Sequence, residues 1–538
     1  MKPLGRDQTA FKTEQITYLD RKSIQLDRML LRFFELLRYD GRKVYRRQTR
    51  TIDVETLLQV MTGPSSSRFP GFAEHTAVAR TWLRGDLLEI MHRGRPDAET
   101  VVGPRPFHLN AFKLTNRQAV QDYGASEQIW ALIYHADRPL LDQLREFFGK
   151  GLDRALDRYD QSTGLDLETL AVLGLADNVA VSPATEAPPE PVRPLCAAQG
   201  RILADDLRSL LAYDGVVPRH VLAGYLRTVM GLHLALLMLR LLRLVPSLVG
   251  AAAGGSTPPA CPVEQTPGAS CRDCPFGFEI TVDLTDEPLS GPAQLARIST
   301  AEHFARIPEY VRAVFLVNRL KDYARVQAAS GRRARAETLD DLLAILRDPP
   351  GDLDGFFAAR IADVLISPDS QDEDEDPVVK EIVGLDLPAL DRFVELVCLQ
   401  RLPLEAKHVM NLLDSLSQKN RPGGFLRQTA SARAPRWFAL GSHLLETLVH
   451  IAVVGRSEGA PLTSKTVLVD EFVAWLCDRY GFVVYAPEFR AVRPEEHEAW
   501  QRNEQALRER LHEIGFFVDL SDAYNSQTLR PRYEVNLG

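Results

Sequence analysis

Three cysteines lie within fourteen residues of a 538-residue chain that has only six. Nine residues separate Cys261 from Cys271, and two separate Cys271 from Cys274. A Cys-x-x-Cys pair places two thiolates on one tetrahedral metal ion, and Cys261 adds a third ligand at loop-closing distance. We therefore expect a structural metal site here, with Cys196 as the first choice for the fourth ligand and His303 as the second.

Zinc is the metal that we expect, because it is redox-inert and is held stably by four cysteines or by three cysteines and a histidine. An iron–sulfur cluster is the alternative, since Cys274 is followed directly by Pro275, an order that occurs in cluster-binding loops. A third alternative is a group of thiols without metal. Cys398 and Cys477 lie in apolar helical patterns, and we expect them to be inert core thiols.

A basic segment near residue 425 is the second group of residues that suggests a chemistry. Between residues 415 and 437 the chain has no acid and five cations, namely Lys419, Arg421, Arg427, Arg433 and Arg436. Such a loop attracts phosphates, and the flanking Phe425 and Trp437 suggest an aromatic ring that stacks on a base. We expect a nucleic-acid surface that also includes Arg530 and Arg532; docking on an acidic protein subunit is the alternative.

Patterns that would identify an enzyme are absent from the sequence. It has no G-x-x-x-x-G-K-[ST] phosphate loop, no G-x-S-x-G nucleophile elbow and no H-E-x-x-H zinc-protease helix. We therefore expect a non-catalytic subunit that binds DNA, protein or both. The alternative is a metal-dependent nuclease or another enzyme whose acidic residues are dispersed along the chain.

The elements that position these residues are predicted to be helices. Apolar residues recur at three- and four-residue spacing over residues 24–37, 127–159, 201–211, 220–249, 293–328, 378–399 and 404–416. The sequence thus predicts a mainly α, multidomain helical protein. It would carry a small Cys-rich metal-binding element and a C-terminal winged-helix-like module.

Two segments mark the domain boundaries. Residues 183–194 contain five prolines, which cannot continue a helix, and residues 369–376 form an acidic run that is typical of a solvated linker. The expected parts are an N-terminal helical domain (1–182), the proline-rich linker (183–194), a helical domain (195–366) with the Cys-rich element at 261–284, an acidic linker (367–377) and a C-terminal helical domain (378–538).

The winged-helix-like module is predicted from the order of elements near the C-terminus. Helical patterns at residues 438–454, 469–480 and 495–514 are followed by a segment that favours two strands around a turn at Asn525 and Ser526. This order suits a relative of the helix-turn-helix proteins, which enter a DNA groove or dock on protein.

The leucine-rich segment 231–250 is apolar enough to suggest a membrane span. Arg240 and Arg243 lie near its middle, where each would cost at least ~2.5 kcal/mol in a bilayer, and Pro246 interrupts it. We expect a helix buried in protein and no membrane contact. The N-terminus lacks the apolar stretch of a secretory signal, which indicates a cytoplasmic protein, and the net charge of -8 excludes a uniformly basic nucleic-acid coat.

Four segments spread over most of the chain carry a resemblance to a known family. They are ITYLDRKSIQLDRML, HLALLMLRLLRLVP, the Cys-x-x-Cys-Pro-Phe element and ERLHEIGFFVDLSDAYNSQTLRPRYEV. In these segments the chain resembles accessory proteins of bacterial methylation-associated antiphage defence systems. The resemblance implies a role in a multisubunit complex beside methyltransferase, specificity and ATPase or nuclease subunits. It supplies no catalytic residues.

Overall fold

The computed structural model describes most of the chain. The described residues are 4–5, 8–42, 44–46, 52–63, 69–92, 99–153, 158–159, 164–256, 261, 274–365, 377–456, 462–486, 493–517 and 527–535.

The N-terminal part begins with a helix whose sequence explains both its burial and its end. Helix α1 buries most of its apolar residues, and the chain leaves it through Asp40 and Gly41, which have φ values of 52° and 79°. The elements up to residue 183 are α1 (Leu26–Arg38), β1 (Val44–Arg46), α2 (Val54–Thr62), α3 (Thr76–Trp82), β2 (Leu88–His92), β3 (Glu99–Pro104), α4 (Ala125–Ala136), α5 (Arg138–Phe148), β4 (Leu152–Asp153), β5 (Arg158–Tyr159), α6 (Leu167–Ala176) and β6 (Val181–Pro183).

Long helices form the rest of the chain, with short strands between them. The middle elements are α7 (Ala197–Leu211), α8 (Arg219–Ala253), β7 (Ile280–Thr281), α9 (Gly291–Phe304), α10 (Ile307–Ala329), α11 (Leu339–Arg347) and α12 (Leu353–Leu365). The C-terminal elements are α13 (Pro377–Val383), α14 (Ala389–Leu416), β8 (Leu426–Arg427), β9 (Trp437–Phe438), α15 (Ser442–Ala452), β10 (Val454–Arg456), β11 (Leu462–Ser464), β12 (Val467–Leu468), α16 (Val469–Tyr480), β13 (Phe482–Val483), α17 (Pro494–Glu513) and β14 (Thr528–Leu529). The prediction of a mainly helical protein is confirmed.

The predicted helix boundaries fail at prolines in both directions. Pro246 lies inside α8 and Pro403 inside α14, so the interruption expected at Pro246 and the separate helices expected over 378–399 and 404–416 are wrong. Two other predicted long helices are each divided near a proline. The segment predicted as one helix over 127–159 forms α4 and α5, and Pro139 occupies the first turn of α5. The segment predicted over 293–328 forms α9 and α10, and Pro308 occupies the first turn of α10. Proline lacks the N–H that an interior helical position must donate, so it starts a helix more readily than it continues one.

The sheets are two-stranded, and several join distant parts of the chain. Antiparallel β1–β6 brings the start of the proline-rich segment back to the N-terminal part, and antiparallel β12–β14 holds the C-terminal end. The pair β7–β13 is parallel, with Ile280 opposite Phe482. A parallel pair needs a long crossover connection, and here some 200 residues of helical structure supply it.

Helix α8 lies at the centre of the fold. It packs against α1, α4, α7, α10, α11, α14 and α15. Of the described helices it is the one long and apolar enough, by length and composition, to cross a membrane, and 67% of its most apolar window is buried inside the protein. A helix that is apolar on all sides is stable in water only when other parts of the protein cover it.

The N-terminal segment, residues 8–24, lies against the helices α10 and α14 from the second half of the chain. The Asn318 side chain donates to the Phe11 carbonyl at 2.9 Å, and the Ile24 N–H donates to the Ser415 hydroxyl at 3.0 Å. The apolar core of the described residues continues across the proline-rich segment. The acidic run at 369–376 lies outside the described residues, and the division into domains stays a prediction.

Candidate functional site

The cysteine cluster is described only in part. Cys261 and Cys274 are half-buried, Cys196 is buried just before α7, and Cys271 lies outside the described residues. Within the ranges that the structure describes, no three His, Cys, Asp or Glu side chains are arranged to hold a metal ion. The metal site therefore stays a prediction that depends on Cys271.

His303, the second choice for the fourth ligand, is engaged in the core. Its Nε2 lies 3.0 Å from the Glu279 carbonyl oxygen, to which it donates, and its ring packs edge-on against Phe278 and Phe438. Burial lowers the pKa of His303 to about 4. The ring is thus neutral at neutral pH, and only Nδ1 is left for another partner.

The two arginines of the apolar helix contact the segment that follows the cysteines. The Arg240 guanidinium lies over the Phe278 ring, 5.1 Å from its centroid, and Arg243 donates to the Gly277 carbonyl at 2.8 Å. A cation over an aromatic face is favourable, more so when water is excluded. These contacts explain how an apolar helix accommodates two charges, and they fix the end of the cysteine segment against α8.

A buried carboxylate, Asp206 of α7, collects three hydrogen-bond donors. It accepts from His233 at 2.8 Å, from the Tyr480 hydroxyl at 2.7 Å and from Arg479 Nε at 2.8 Å. Burial alone would raise its pKa, but the Arg479 charge and the two hydrogen bonds outweigh burial and lower the pKa. Because Asp206 and His233 are fully buried, a substrate cannot reach the pair, and the cluster acts as a link between α7, α8 and α16.

A second carboxylate, Glu446 of α15, holds one of the predicted nucleic-acid residues. Glu446 accepts from Arg532 at 2.6 Å and from the Tyr225 hydroxyl at 2.9 Å. The Arg532 guanidinium also lies over the rings of Phe516 and Tyr533. Arg530 and Arg532 are both exposed, but Arg532 is held by an ion pair with Glu446.

Acids from outside the predicted basic loop neutralise three of its five cations. Asp414 pairs with Lys419 at 2.6 Å and with Arg436 at 2.6 Å, and Asp286 pairs with Arg427 at 3.1 Å. The remaining two, Arg421 and Arg433, are exposed and form no ion pair with a described residue.

The expectation of a base-stacking aromatic in this loop is wrong. Phe425 is 1% exposed and stacks on Phe438, and Trp437 is 3% exposed and donates from its indole N–H to Asp283 at 3.2 Å. Large aromatic rings gain most by burial, and here they anchor the loop to the core.

A groove of about 1010 Å³ lies between α9, α16 and the start of α17, beside β7–β13. Val473 and Trp500 form a buried apolar floor, and Ile298 adds an apolar residue that is 52% exposed. Exposed acidic residues from three elements line the groove, namely Glu279, Glu302, Asp470 and Asp478. Exposed Arg493 and half-buried Glu496 also line the groove, which therefore presents a net negative charge around apolar surface.

A glycine positions one wall of this groove. Gly481 ends α16 in a left-handed conformation with φ 78°, and the chain then enters β13. A Cβ at this position would lie 2.3 Å from the Phe278 carbonyl oxygen. Only glycine permits both this conformation and this close approach, which brings α16 next to the segment before β7.

The sequence does not predict this groove, because the residues that line it come from separate segments of the chain. Asp470, Ala474 and Asp478 do recur every four residues along α16, and this spacing was the available signal for a polar helix face. Cys477 was expected to be a core thiol, but it is half-buried and lines the groove, so that expectation is wrong.

Helices α15, α16 and α17 lie in the three C-terminal segments predicted to be helical, with the short strands β10 to β13 between them. Of the two strands predicted after the helices, the described residues contain β14, and the winged-helix-like module stays a prediction. Strand β14 pairs with β12, and Leu529 also bridges Phe517 in antiparallel orientation. The turn predicted at Asn525 and Ser526 lies outside the described residues. The exposed residues of α17 include His497, Glu498, Gln501, Arg502, Gln505, Glu509, His512 and Glu513, so three carboxylates accompany one arginine, which itself pairs with Glu287. This exposed face is acidic, which does not suit insertion into a DNA groove.

Comparison with known proteins gives one result. Neither the curated proteins nor the solved structures include a match to this chain. The sequence model of one protein family, described as methylation-associated defense system protein MAD7, matches residues 6–533, nearly the whole chain. The resemblance found in the four sequence segments is thereby confirmed. The chain belongs to the MAD7 family of methylation-associated defense system proteins.

Proposed function

We propose that this chain is a non-catalytic, protein-binding subunit of an antiphage defence complex. In this proposal the groove between α9, α16 and α17 receives a basic, partly apolar segment of another subunit. The observation that carries the proposal is the combination of an apolar floor and exposed carboxylates in one groove of about 1010 Å³.

The composition of the groove fits protein recognition. Protein interfaces have an apolar centre that excludes water and a polar rim, and complementary charge on the rim steers association and selects partners. Val473, Trp500 and Ile298 provide the apolar part, and Glu279 and Glu302 belong to the charged part. A segment with lysines or arginines around one or two apolar residues would satisfy both.

Co-expression with each other subunit of the same defence system, one at a time, tests the proposal. One subunit should form a complex that survives size-exclusion chromatography, and cross-links from the groove should map to a basic segment of it. The double variant Glu279→Lys/Glu302→Lys should weaken the complex by about tenfold or more, equivalent to about 1.4 kcal/mol.

A matched control is the double variant Glu498→Lys/Glu509→Lys, which changes charge equally on the exposed face of α17. It should leave the complex intact. In the apolar part, Ile298→Asp should weaken the complex, whereas Leu167→Asp, at an exposed leucine outside the groove, should not. The proposal fails if no subunit binds, or if groove and control variants bind alike.

Nucleic-acid binding by the loop 419–436 and by Arg530 is the second candidate function. It is supported by the exposure of Arg421, Arg433 and Arg530 near the winged-helix-like order of elements. The paired cations and the acidic face of α17 favour the protein-binding proposal at this end of the molecule.

A structural zinc ion at Cys261, Cys271 and Cys274, completed by Cys196, remains part of the proposal. It would fix the loop that follows α8 without taking part in a reaction. The cytoplasm, where thiols stay reduced and zinc sites persist, is the proposed compartment.

A further inference from the structure

Four arginines form an exposed cluster at the end of α10, called here the arginine turn: Arg325, Arg332, Arg333 and Arg335. The last three lie on the loop between α10 and α11, are exposed and form no ion pair with a described residue. The side chain of Arg325 is 69% exposed and forms an ion pair of 3.7 Å with Asp322. The cluster lies on a chain whose net charge is -8.

Both ends of the loop are fixed by hydrogen bonds. At the end of α10, the Arg332 N–H donates to the Gln327 carbonyl and the Gly331 N–H to that of Ala328, with Gly331 at φ 69°. This is a Schellman motif, which requires a left-handed residue. At the start of α11, Thr338 and Asp341 form a reciprocal capping box. The arginines are thus presented by a preorganised turn.

Nearby carboxylates are already engaged by other groups. Asp352 accepts from the Tyr323 hydroxyl at 2.6 Å and from the Gln327 amide at 2.7 Å, and Asp322 pairs with Arg319 at 3.1 Å. Glu337 is the one acid within the loop itself. The charges of Arg332 and Arg333 act on Asp352, and Arg325 pairs with Asp322. The four arginines outnumber Asp322, Asp352 and Glu337, so the arginine turn keeps a net positive charge. In the loop 419–436, by contrast, Asp414 and Asp286 neutralise three of the five cations.

We propose that the arginine turn binds the phosphate backbone of duplex DNA without reading its sequence. A guanidinium matches a phosphate through two parallel hydrogen bonds, and release of condensed counterions from DNA drives such binding. The other loop residues are Ser330, Gly331, Ala334, Ala336, Glu337 and Thr338, so the loop offers no large apolar anchor of the kind that protein interfaces use. This surface is separate from the groove of the proposed function.

Fluorescence anisotropy with a labelled duplex of mixed sequence, measured over a series of salt concentrations, tests the proposal. The variant Arg332→Glu/Arg333→Glu/Arg335→Glu should bind more weakly at every salt concentration. The slope of log affinity against log salt should fall by about 2.7, which is about 0.9 for each of three lost phosphate contacts. Replacement of the same residues by lysine should retain most of the affinity.

The matched control is Arg421→Glu/Arg433→Glu, the two unpaired arginines of the other basic loop, which should lower the slope less. All these side chains are exposed, so the melting temperature should not change.

The proposal is overturned if the wild-type protein does not bind duplex DNA at low salt, or if the triple variant binds as tightly as wild type. It is also overturned if polyglutamate displaces DNA as effectively as unlabelled duplex does, because the turn would then be a site for acidic protein. The groove variant Glu279→Lys/Glu302→Lys should bind DNA as tightly as wild type does. This result would distinguish DNA binding by the arginine turn from protein binding by the groove.

Discussion

The Tyr480 hydroxyl donates a hydrogen bond of 2.7 Å to the Asp206 carboxylate, although 274 residues separate the two. Both side chains are fully buried. Because Asp206 also accepts from His233 and Arg479, three helices from two distant parts of the chain meet at one negative charge.

Replacement of Asp206 by Ala should therefore lower the free energy of unfolding by about 3–5 kcal/mol, the usual cost of leaving a buried partner charge unpaired. Asp205→Ala is the control, since the neighbouring side chain is 68% exposed and lies 4.0 Å from Arg479. It should cost less than about 0.5 kcal/mol. Urea unfolding followed by circular dichroism measures the unfolding free energy of both variants. If both variants lose a similar amount of free energy, Asp206 does not link the three helices.

Stability should fall in acid partly because of Glu446. Interaction with His443, followed by hydrogen bonds from Tyr225 and Arg532, lowers the pKa of Glu446 to about 2 from 4.5. A lowered folded-state pKa stabilises the protein above the unfolded-state value, and this contribution is lost as pH falls from about 4.5 towards 2. It amounts to at most about 3 kcal/mol.

The variant Glu446→Gln should lose this pH-dependent contribution, so its unfolding free energy should change less than that of wild type between pH 5 and pH 3. Glu498→Gln, at an exposed glutamate, should retain the wild-type dependence. If the unfolding free energies of wild type and Glu446→Gln change with pH in the same way, the lowered pKa of Glu446 is contradicted.

The metal prediction is tested by elemental analysis of the purified protein. The wild type should contain about one zinc per chain, and Cys271→Ser should lose it and melt at a lower temperature, because a structural zinc site contributes directly to folding. Cys477→Ser, outside the cluster, should retain the metal. Iron in place of zinc would favour the cluster alternative, and four freely titrating thiols without metal would remove the prediction.

Because helix α8 is buried in protein, we expect it not to insert into a membrane. The protein should therefore be found in the aqueous fraction when it is expressed without detergent. Arg240 and Arg243 have partners within the protein, and most of the apolar surface of α8 packs against other helices. Centrifugation of a lysate measures this. Partition into membranes that resists both high salt and carbonate would reverse the prediction.

The sequence predicted the helical class because apolar spacing is a local property. It failed at Pro139 and Pro308, where the apolar pattern continues through a proline that starts a new helix. It also failed at Phe425 and Trp437, because the composition of a loop does not show which of its aromatics point inwards. The partners of Arg240 and Arg243 and the acids of the groove come from segments far apart in the chain, and no spacing rule connects them.

The contact between Ile24 and Ser415 also imposes an order on synthesis. The two residues are 391 positions apart, so at 5–20 residues per second the N-terminal segment leaves the ribosome roughly 20–80 s before its support exists. Phe11 packs against Tyr310 and Phe315 of α10, and Ile24 contacts Ser415 of α14, so these contacts form only after those helices have been made. Some contacts of the first residues to be made are thus among the last to form, and a chain that stops before residue 415 lacks the partner of the Ile24 N–H.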